Sequence, residues 1–241
     1  MALTARWAFG SARSGVAAGL VIALWPNLIS YAGAWLSESL FVFLVALGVA
    51  AVTFTARCAA DDRRSLWGTA LTAVAFAAAT MVRPQVLVGL PFVAVAWLWA
   101  GVGWRRTVAL AASVTLTLGA FVVPWAVRNQ HALGSPVFIS TNGGDNLCIG
   151  FHPGALGGFA VDEYCETGEG RIDGPAGEIR RNAEARQLAL DHIRAEPLSL
   201  PWLSMRKLFW TYRTDDDGLR GNESYGPTGL FGNPWRTCGW G

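Results

Sequence analysis

The sequence predicts an all-α polytopic membrane protein whose helical domain, residues 1–128, is followed by an extracytoplasmic segment of mixed structure, residues 129–241. Hydrophobic residues make up 52% of the chain and charged residues only 15%, whereas an average soluble domain carries about 25% charged residues. The charges are also unevenly distributed. Residues 1–128 hold nine Arg, no Lys and three acidic residues, and the remainder holds ten basic and fourteen acidic residues. The first half is therefore typical of a membrane domain and the second half of a segment in water.

Uncharged runs long enough to cross a bilayer define the helical domain. A run of 17 to 20 such residues is about 26–30 Å long as a helix, close to the thickness of the hydrocarbon layer. A weaker fifth run, Val16–Tyr31, is interrupted at Trp25-Pro26, since proline disfavours helical geometry in the preceding residue. We expect about five spans in total. The four stronger ones are Leu40–Ala56, Leu66–Val82, Val86–Val102 and Val108–Val127.

Arginine in the short loops predicts the orientation of these spans, because cytoplasmic loops are enriched in basic residues. Two predicted spans separate each of the three basic clusters from the next, so all three clusters fall on the same side of the membrane. The N-terminus is then cytoplasmic and the segment after Arg128 is extracytoplasmic, in a multi-pass protein of the cell membrane. The clusters are Arg6 and Arg13, then Arg57, Arg63 and Arg64, then Arg105 and Arg106.

The outer segment begins with a glycine-rich stretch and becomes helical. Ser140–Phe159 contains Asn-Gly-Gly and Pro-Gly steps, which predict a structured loop. Ala176–Ala195 has a helix-forming composition with apolar residues near one face, and we expect a surface helix close to the membrane. A shorter helix is expected over Trp202–Tyr212.

Several classes of protein and site are disfavoured. No basic run with interleaved aromatic residues is present, so nucleic acid is not an expected partner. The cysteines lack the spacing of a zinc site, and no metal ligands are predicted. Asp215-Asp216-Asp217 is interpreted as a solvated loop rather than a calcium site. If the outer segment is extracytoplasmic, Cys148 and Cys165 could form a disulfide, but free thiols are an equally good interpretation.

Two kinds of charged residue are candidates for chemistry. Glu38, at the outer mouth of the Leu40–Ala56 span, could bind a cation, orient a hydroxyl or act as a base, or could simply be solvated at a helix end. Arg83 lies in an outer turn between two uncharged runs, where a guanidinium could bind a phosphate or could reach the lipid headgroups. Arg128 presents the same two alternatives. His131, His152 and His192 are scattered, and no nucleophile motif accompanies them.

A series of short motifs, in order, is similar to bacterial family 39 glycosyltransferases of the GT-C class, which are related to protein O-mannosyltransferases and lipid A aminoarabinose transferases. The similarity covers residues 20–220 approximately. The motifs are Pro26-Asn27-Leu28-Ile29-Ser30-Tyr31, Leu36-Ser37-Glu38-Ser39-Leu40-Phe41, Arg83-Pro84, Pro124-Trp125-Ala126-Val127-Arg128-Asn129, and Ser140-Thr141-Asn142-Gly143-Gly144-Asp145-Asn146-Leu147 with Ile149-Gly150.

The resemblance implies a GT-C-like helical bundle that transfers a sugar from a polyprenyl-phosphate donor to an acceptor outside the cytoplasm. By the same resemblance Glu38 is the catalytic candidate, and Arg83 and Arg128 would contact the lipid phosphate. Asn142 and Asn146 lie in the last motif and are further substrate-binding candidates. The cofactor is unknown, and a divalent cation is compatible with such a site.

The match is incomplete in two places. The acidic residue usually taken as the family's catalytic base lies in an outer loop upstream of the matching region, and no acidic residue precedes Glu38. No further span follows the outer segment, so the chain resembles a central fragment of such an enzyme. The alternatives are a subunit of a transporter for polar solutes and a non-catalytic scaffold of the cell envelope. A transporter is expected to place charges near the bilayer midplane, often in repeated halves, whereas here the charges lie at span ends.

Overall fold

The computed structural model describes residues 1–33, 37–158, 163–165 and 174–213. Every regular element within these ranges is helical, which confirms the all-α prediction. The predicted acidic loop Asp215–Asp217 lies outside the described residues.

Within the described residues, three helices are long and apolar enough to cross a membrane, as expected for a helical membrane protein. They are α4, Ser37–Arg57; α5, Asp62–Val82; and α7, Trp104–Leu133. They contain three of the predicted spans. At 1.5 Å per residue, the 30 residues of α7 extend about 45 Å and exceed the hydrocarbon layer.

The N-terminal region forms shorter helices. α1, Ala2–Phe9, packs on α2, Ala12–Ala23, and on α4. α2 and α3, Pro26–Gly33, are bent by 60° relative to each other and form a fourth span if the two are counted together. The bend coincides with the predicted interruption at Trp25-Pro26.

The predicted span Val86–Val102 does not form one continuous α-helix. The chain forms a six-residue 3-10 helix, Pro84–Gly89, and then the ten-residue α6, Leu90–Trp99, which is too short to count as a spanning helix. Pro84 and Pro91 explain this, because proline lacks the N–H that a continuing helix needs and restricts the residue before it. The predicted total of five spans therefore stays a prediction.

This interrupted segment nevertheless runs from one end of the helical bundle to the other. At its start, Arg83 contacts Glu38 at the beginning of α4. Near its end, the indole Nε1 of buried Trp97 donates a hydrogen bond to the backbone oxygen of Val52 at 3.1 Å. Arg106, at the start of α7, then contacts Asp62 at the start of α5. α5 and α7 therefore begin at the same end of the bundle.

The basic clusters lie together at that end. The ring centroids of Trp7 in α1 and Phe54 in α4 are 5.3 Å apart, so α1 lies beside the C-terminal part of α4. A β-carbon at Gly10 would lie 3.6 Å from Nη2 of Arg57. Since the Arg106–Asp62 pair also lies here, the structure groups the three clusters that the sequence assigns to one side of the membrane.

The segment after α7 is a small helical unit. α7 continues past the predicted domain boundary at residue 128 and ends at Leu133, where Gly134 adopts a left-handed conformation with φ of 68°. Three α-helices follow in the described part of this segment: α8, Gly143–Gly150; α9, Gly174–Ala195; and α10, Ser199–Arg213. The two C-terminal helices confirm the predicted ones, whereas α8 corrects the interpretation of Ser140–Phe159 as entirely loop.

Candidate functional site

The structure brings together two of the residues that the sequence singled out. Nη2 of Arg83 donates a hydrogen bond to Oε1 of Glu38, and the two side chains form an ion pair. The same nitrogen lies 3.3 Å from Oγ of Ser37, and that hydroxyl lies 3.4 Å from the other carboxylate oxygen of Glu38. Glu38, Arg83 and Ser37 thus form a polar cluster at one end of the bundle.

Local sequence explains how each partner reaches this cluster. Glu38 lies in the first turn of α4, where a carboxylate interacts favourably with the helix dipole. Arg83 follows the last residue of α5 and is extended, with φ of −148° and ψ of 116°, as expected for a residue before proline. An extended backbone directs the following chain away from the axis of α5, and the Arg83 side chain remains beside the start of α4.

Close packing of α4 and α5 holds the two ends in register. A β-carbon at Gly48 would lie 3.0 Å from the Phe76 ring, and one at Gly68 would lie 2.4 Å from Oγ1 of Thr55. Glycine at these positions lets the two helix backbones approach closely. The antiparallel pair therefore places the start of α4 next to the end of α5.

The cluster is half-buried and not fully satisfied. The Arg83 side chain is 34% exposed and the Glu38 side chain is 30% exposed. Nε of Arg83 is buried, and it has no hydrogen-bond partner within the described part of the chain. Since a guanidinium has five N–H donors in a planar fork, Arg83 keeps donor capacity beyond its contact with Glu38.

A second ion pair at the opposite end of the bundle provides a comparison. Nη2 of Arg106 lies 3.0 Å from Oδ1 of Asp62, and its Nη1 donates to the backbone oxygen of Ala59. Asp62 is 87% exposed. This pair joins the turn between α4 and α5 to the start of α7. Its role is therefore structural.

The other predicted substrate-binding residues are not gathered at the cluster. Arg128 lies 5.0 Å from the centroid of the Trp125 ring and donates from Nη1 to Oδ1 of Asn129 at 3.1 Å, within its own helix. Asn142 accepts a hydrogen bond from the Ser140 hydroxyl just before α8, and Asn146 is exposed on α8. α8 packs mainly on α9. The two asparagines therefore belong to the helical unit that follows α7, which we call the outer unit after its predicted location.

That outer unit is held by polar contacts and by a disulfide. Cys148 of α8 is bonded to Cys165, with their Cα atoms 5.7 Å apart, which resolves the two alternatives for these cysteines. The N–H of Gly144 donates to Oδ1 of Asn182. Asp145 and Arg181 form an ion pair at 3.4 Å. These contacts, with buried Ala185 and Ala189 of α9, form the small core of the unit.

A cavity in the outer unit brings together two histidines that the sequence showed only as scattered. His152 is buried, and its Nδ1 lies 2.9 Å from the backbone oxygen of Pro153. The cavity, of about 220 Å³, is also lined by His192, Glu196, Ser199 and Trp202. The histidines are forty residues apart on different elements, so no spacing in the sequence could have revealed this proximity. Among the described residues, no three of His, Cys, Asp or Glu are placed to hold a metal ion.

Comparison of the chain with protein-family models, with curated proteins and with solved structures found no significant match.

Proposed function

We propose that this chain is part of a membrane glycosyltransferase that transfers a sugar from a polyprenyl-phosphate donor to an extracytoplasmic acceptor, with Glu38 and Arg83 at its reactive centre. The observation that carries the proposal is their ion pair at the end of the bundle. The resemblance assigns a carboxylate and a phosphate-binding cation to residues that are far apart in sequence. Transfer requires both groups at one place.

The chemistry divides between the two side chains. The acceptor hydroxyl attacks the anomeric carbon of the sugar, a new C–O bond forms, and the bond from that carbon to the phosphate oxygen breaks. Glu38 takes the hydroxyl proton as general base. Arg83 stabilises the negative charge that develops on the departing polyprenyl phosphate, using the planar donor fork that suits phosphate.

Two features support an outer location for this centre. The basic clusters of the bundle lie at the end opposite to Glu38 and Arg83, and basic residues mark the cytoplasmic side. The outer unit contains the Cys148–Cys165 disulfide, and disulfides persist in oxidising compartments. Together they support an extracytoplasmic location for the cluster and for the unit after α7.

The same ion pair also favours a second candidate, a non-catalytic scaffold. Glu38 and Arg83 neutralise each other, and a mutually satisfied pair at the end of two packed helices can serve only to join them. The two candidates differ in whether replacing Glu38 affects transfer or only stability.

Membranes that contain the gene product, supplied with a radiolabelled polyprenyl-phosphate sugar, test the proposal. Transfer of label to an acceptor should be reduced at least tenfold by Glu38→Gln, which keeps the shape of the side chain but loses its charge. The matched control is Asp62→Asn, which breaks the ion pair at the other end of the bundle and should transfer normally. Equal transfer by Glu38→Gln and the parent, at equal protein amounts, would reject the catalytic role and favour the scaffold.

A further inference from the structure

One face of α10 carries an apolar stripe exposed to solvent. The side chains of the stripe are spaced by four, three, three and four residues, which places them on the same side of a helix. They retain between 51% and 90% of their exposure. The stripe, which we call the α10 stripe, consists of Leu198, just before the helix, and Trp202, Met205, Leu208 and Tyr212.

The other side of α10 packs on the outer unit. Leu203 is buried, and Nε1 of Trp210 donates to the backbone oxygen of Leu156 at 3.1 Å. A β-carbon at Gly157 would lie 2.9 Å from Cβ of Arg206, so backbone and helix are in close contact there. Lys207 also faces inward, with Nζ 3.4 Å from the centroid of the Phe151 ring, and burial lowers the pKa of its ammonium group. These contacts set which face of α10 is outward.

We infer that the α10 stripe lies in the headgroup region of the bilayer that the long helices cross, so that α10 is an interfacial helix. Tryptophan and tyrosine, both present in the stripe, are enriched at the membrane–water interface because their rings are apolar and each has a polar group. Contiguous exposed apolar surface of this kind marks an interaction site in a protein.

The structure best supports the bilayer as the binding partner of the α10 stripe. Three described helices are suited to crossing it, and the last of them, α7, contacts α9, which three residues connect to α10. The stripe is therefore close in the chain to the membrane domain. Arg206, one helical turn after Trp202, lies at the border between the stripe and the packed face, and the exposed Ser204 and Thr211 flank the stripe on its other side.

The arrangement has a consequence for the outer unit. Because Leu203 and Trp210 bind the opposite face of α10 to that unit, insertion of the stripe would hold the cavity lined by His152 and His192 close to the lipid surface. This inference depends on membrane insertion and not on the proposed transfer of a sugar.

Depth-dependent quenching tests the inference on the full chain. In a background with Cys58→Ser and Cys238→Ser, which leaves only the bonded pair Cys148–Cys165, single cysteines replace Met205, Leu208, Ser204 or Thr211 and carry an environment-sensitive fluorophore. The protein is reconstituted in vesicles of phosphatidylcholine and phosphatidylglycerol containing lipids spin-labelled near the headgroup. We expect at least threefold stronger quenching at positions 205 and 208 than at the matched polar positions 204 and 211.

Two results would overturn the inference. Equal quenching at all four positions would show that the stripe does not face lipid. Strong shielding of positions 205 and 208 from an aqueous quencher, without quenching by the labelled lipids, would show that protein covers the stripe, whether a second copy or another segment of this chain. Because neither result depends on catalysis, failure here is separate from failure of the transfer assay.

Discussion

The carboxylate of Glu38 and the guanidinium of Arg83 are bonded across 45 positions of sequence, where α4 begins and α5 ends. An anion that binds Arg83 must therefore compete with Glu38 for Nη2 or use the other guanidinium donors, which include Nε, without a partner in the described structure. The strength of the pair thus affects binding of the proposed donor phosphate.

Breaking the pair should separate binding from turnover. Glu38→Gln removes the negative charge that competes for Arg83, so the donor-lipid concentration at half-maximal rate should fall about two- to fivefold, as expected for loss of a partly exposed ion pair worth about 0.5–1 kcal/mol. Turnover should fall at the same time. Arg83→Lys should instead raise the half-maximal concentration, because an ammonium lacks the planar fork.

Rates measured across a range of donor-lipid concentrations check this prediction, with Arg106→Lys as the control, since that residue forms the pair at the opposite end of the bundle. If Arg83→Lys matched the parent and only Arg83→Gln were impaired, Arg83 would not bind the phosphate through two donors.

Trp97 should contribute far more to stability than Trp99, two residues away. Trp97 is 0% exposed and bonded to the backbone oxygen of Val52, whereas Trp99 is 94% exposed. Trp97→Phe should destabilise the bundle by about 1–3 kcal/mol through the lost hydrogen bond and the space left behind. Unfolding in detergent micelles measures this, and Trp99→Phe is the control. Equal effects would mean that α6 is not packed on α4 as described.

Gly144 should be essential to the outer unit, and its neighbour Gly143 should not. A β-carbon at Gly144 would lie 1.8 Å from the backbone oxygen of Asn182, but none of the surrounding atoms lies within 4 Å of one at Gly143. Gly144→Ala should force α8 away from α9 at a cost of about 1–3 kcal/mol or more. We expect faster proteolysis of this variant than of Gly143→Ala. Indistinguishable cleavage rates would contradict the packing of α8 on α9.

Reporter fusions should locate the two ends of the bundle. A reporter joined after Arg64 or Arg106, at the basic end, should be active in the cytoplasm, and one joined after Gly134 should be active outside. In a variant with Cys58→Ser and Cys238→Ser, a membrane-impermeant maleimide should label the chain only after reduction, since Cys148 and Cys165 are paired. Cytoplasmic activity at Gly134 would reject the orientation in which the Glu38–Arg83 pair is outside.

Local chemistry was sufficient to predict the long elements. Uncharged runs predicted α4, α5 and α7, because apolar side chains at every face of a helix favour lipid whatever the rest of the fold. Pro26 predicted the bend between α2 and α3, because a proline disfavours helical geometry in the residue before it. The end of α7 was missed, although Gly134 provided a local signal for a helix C-terminus.

Tertiary structure decided what hydropathy and turn signals could not. The glycines of α8 predicted a loop, but packing on α9 and the bond from Cys148 to Cys165 stabilise a helix there. Hydropathy also overlooked Pro91, which contributes to the short α6. The meeting of Glu38 with Arg83, and of His152 with His192, depends on how helices distant in sequence pack together. A single sequence contains the residue types of such a site but not the distances between them, because those distances arise only when the helices are packed.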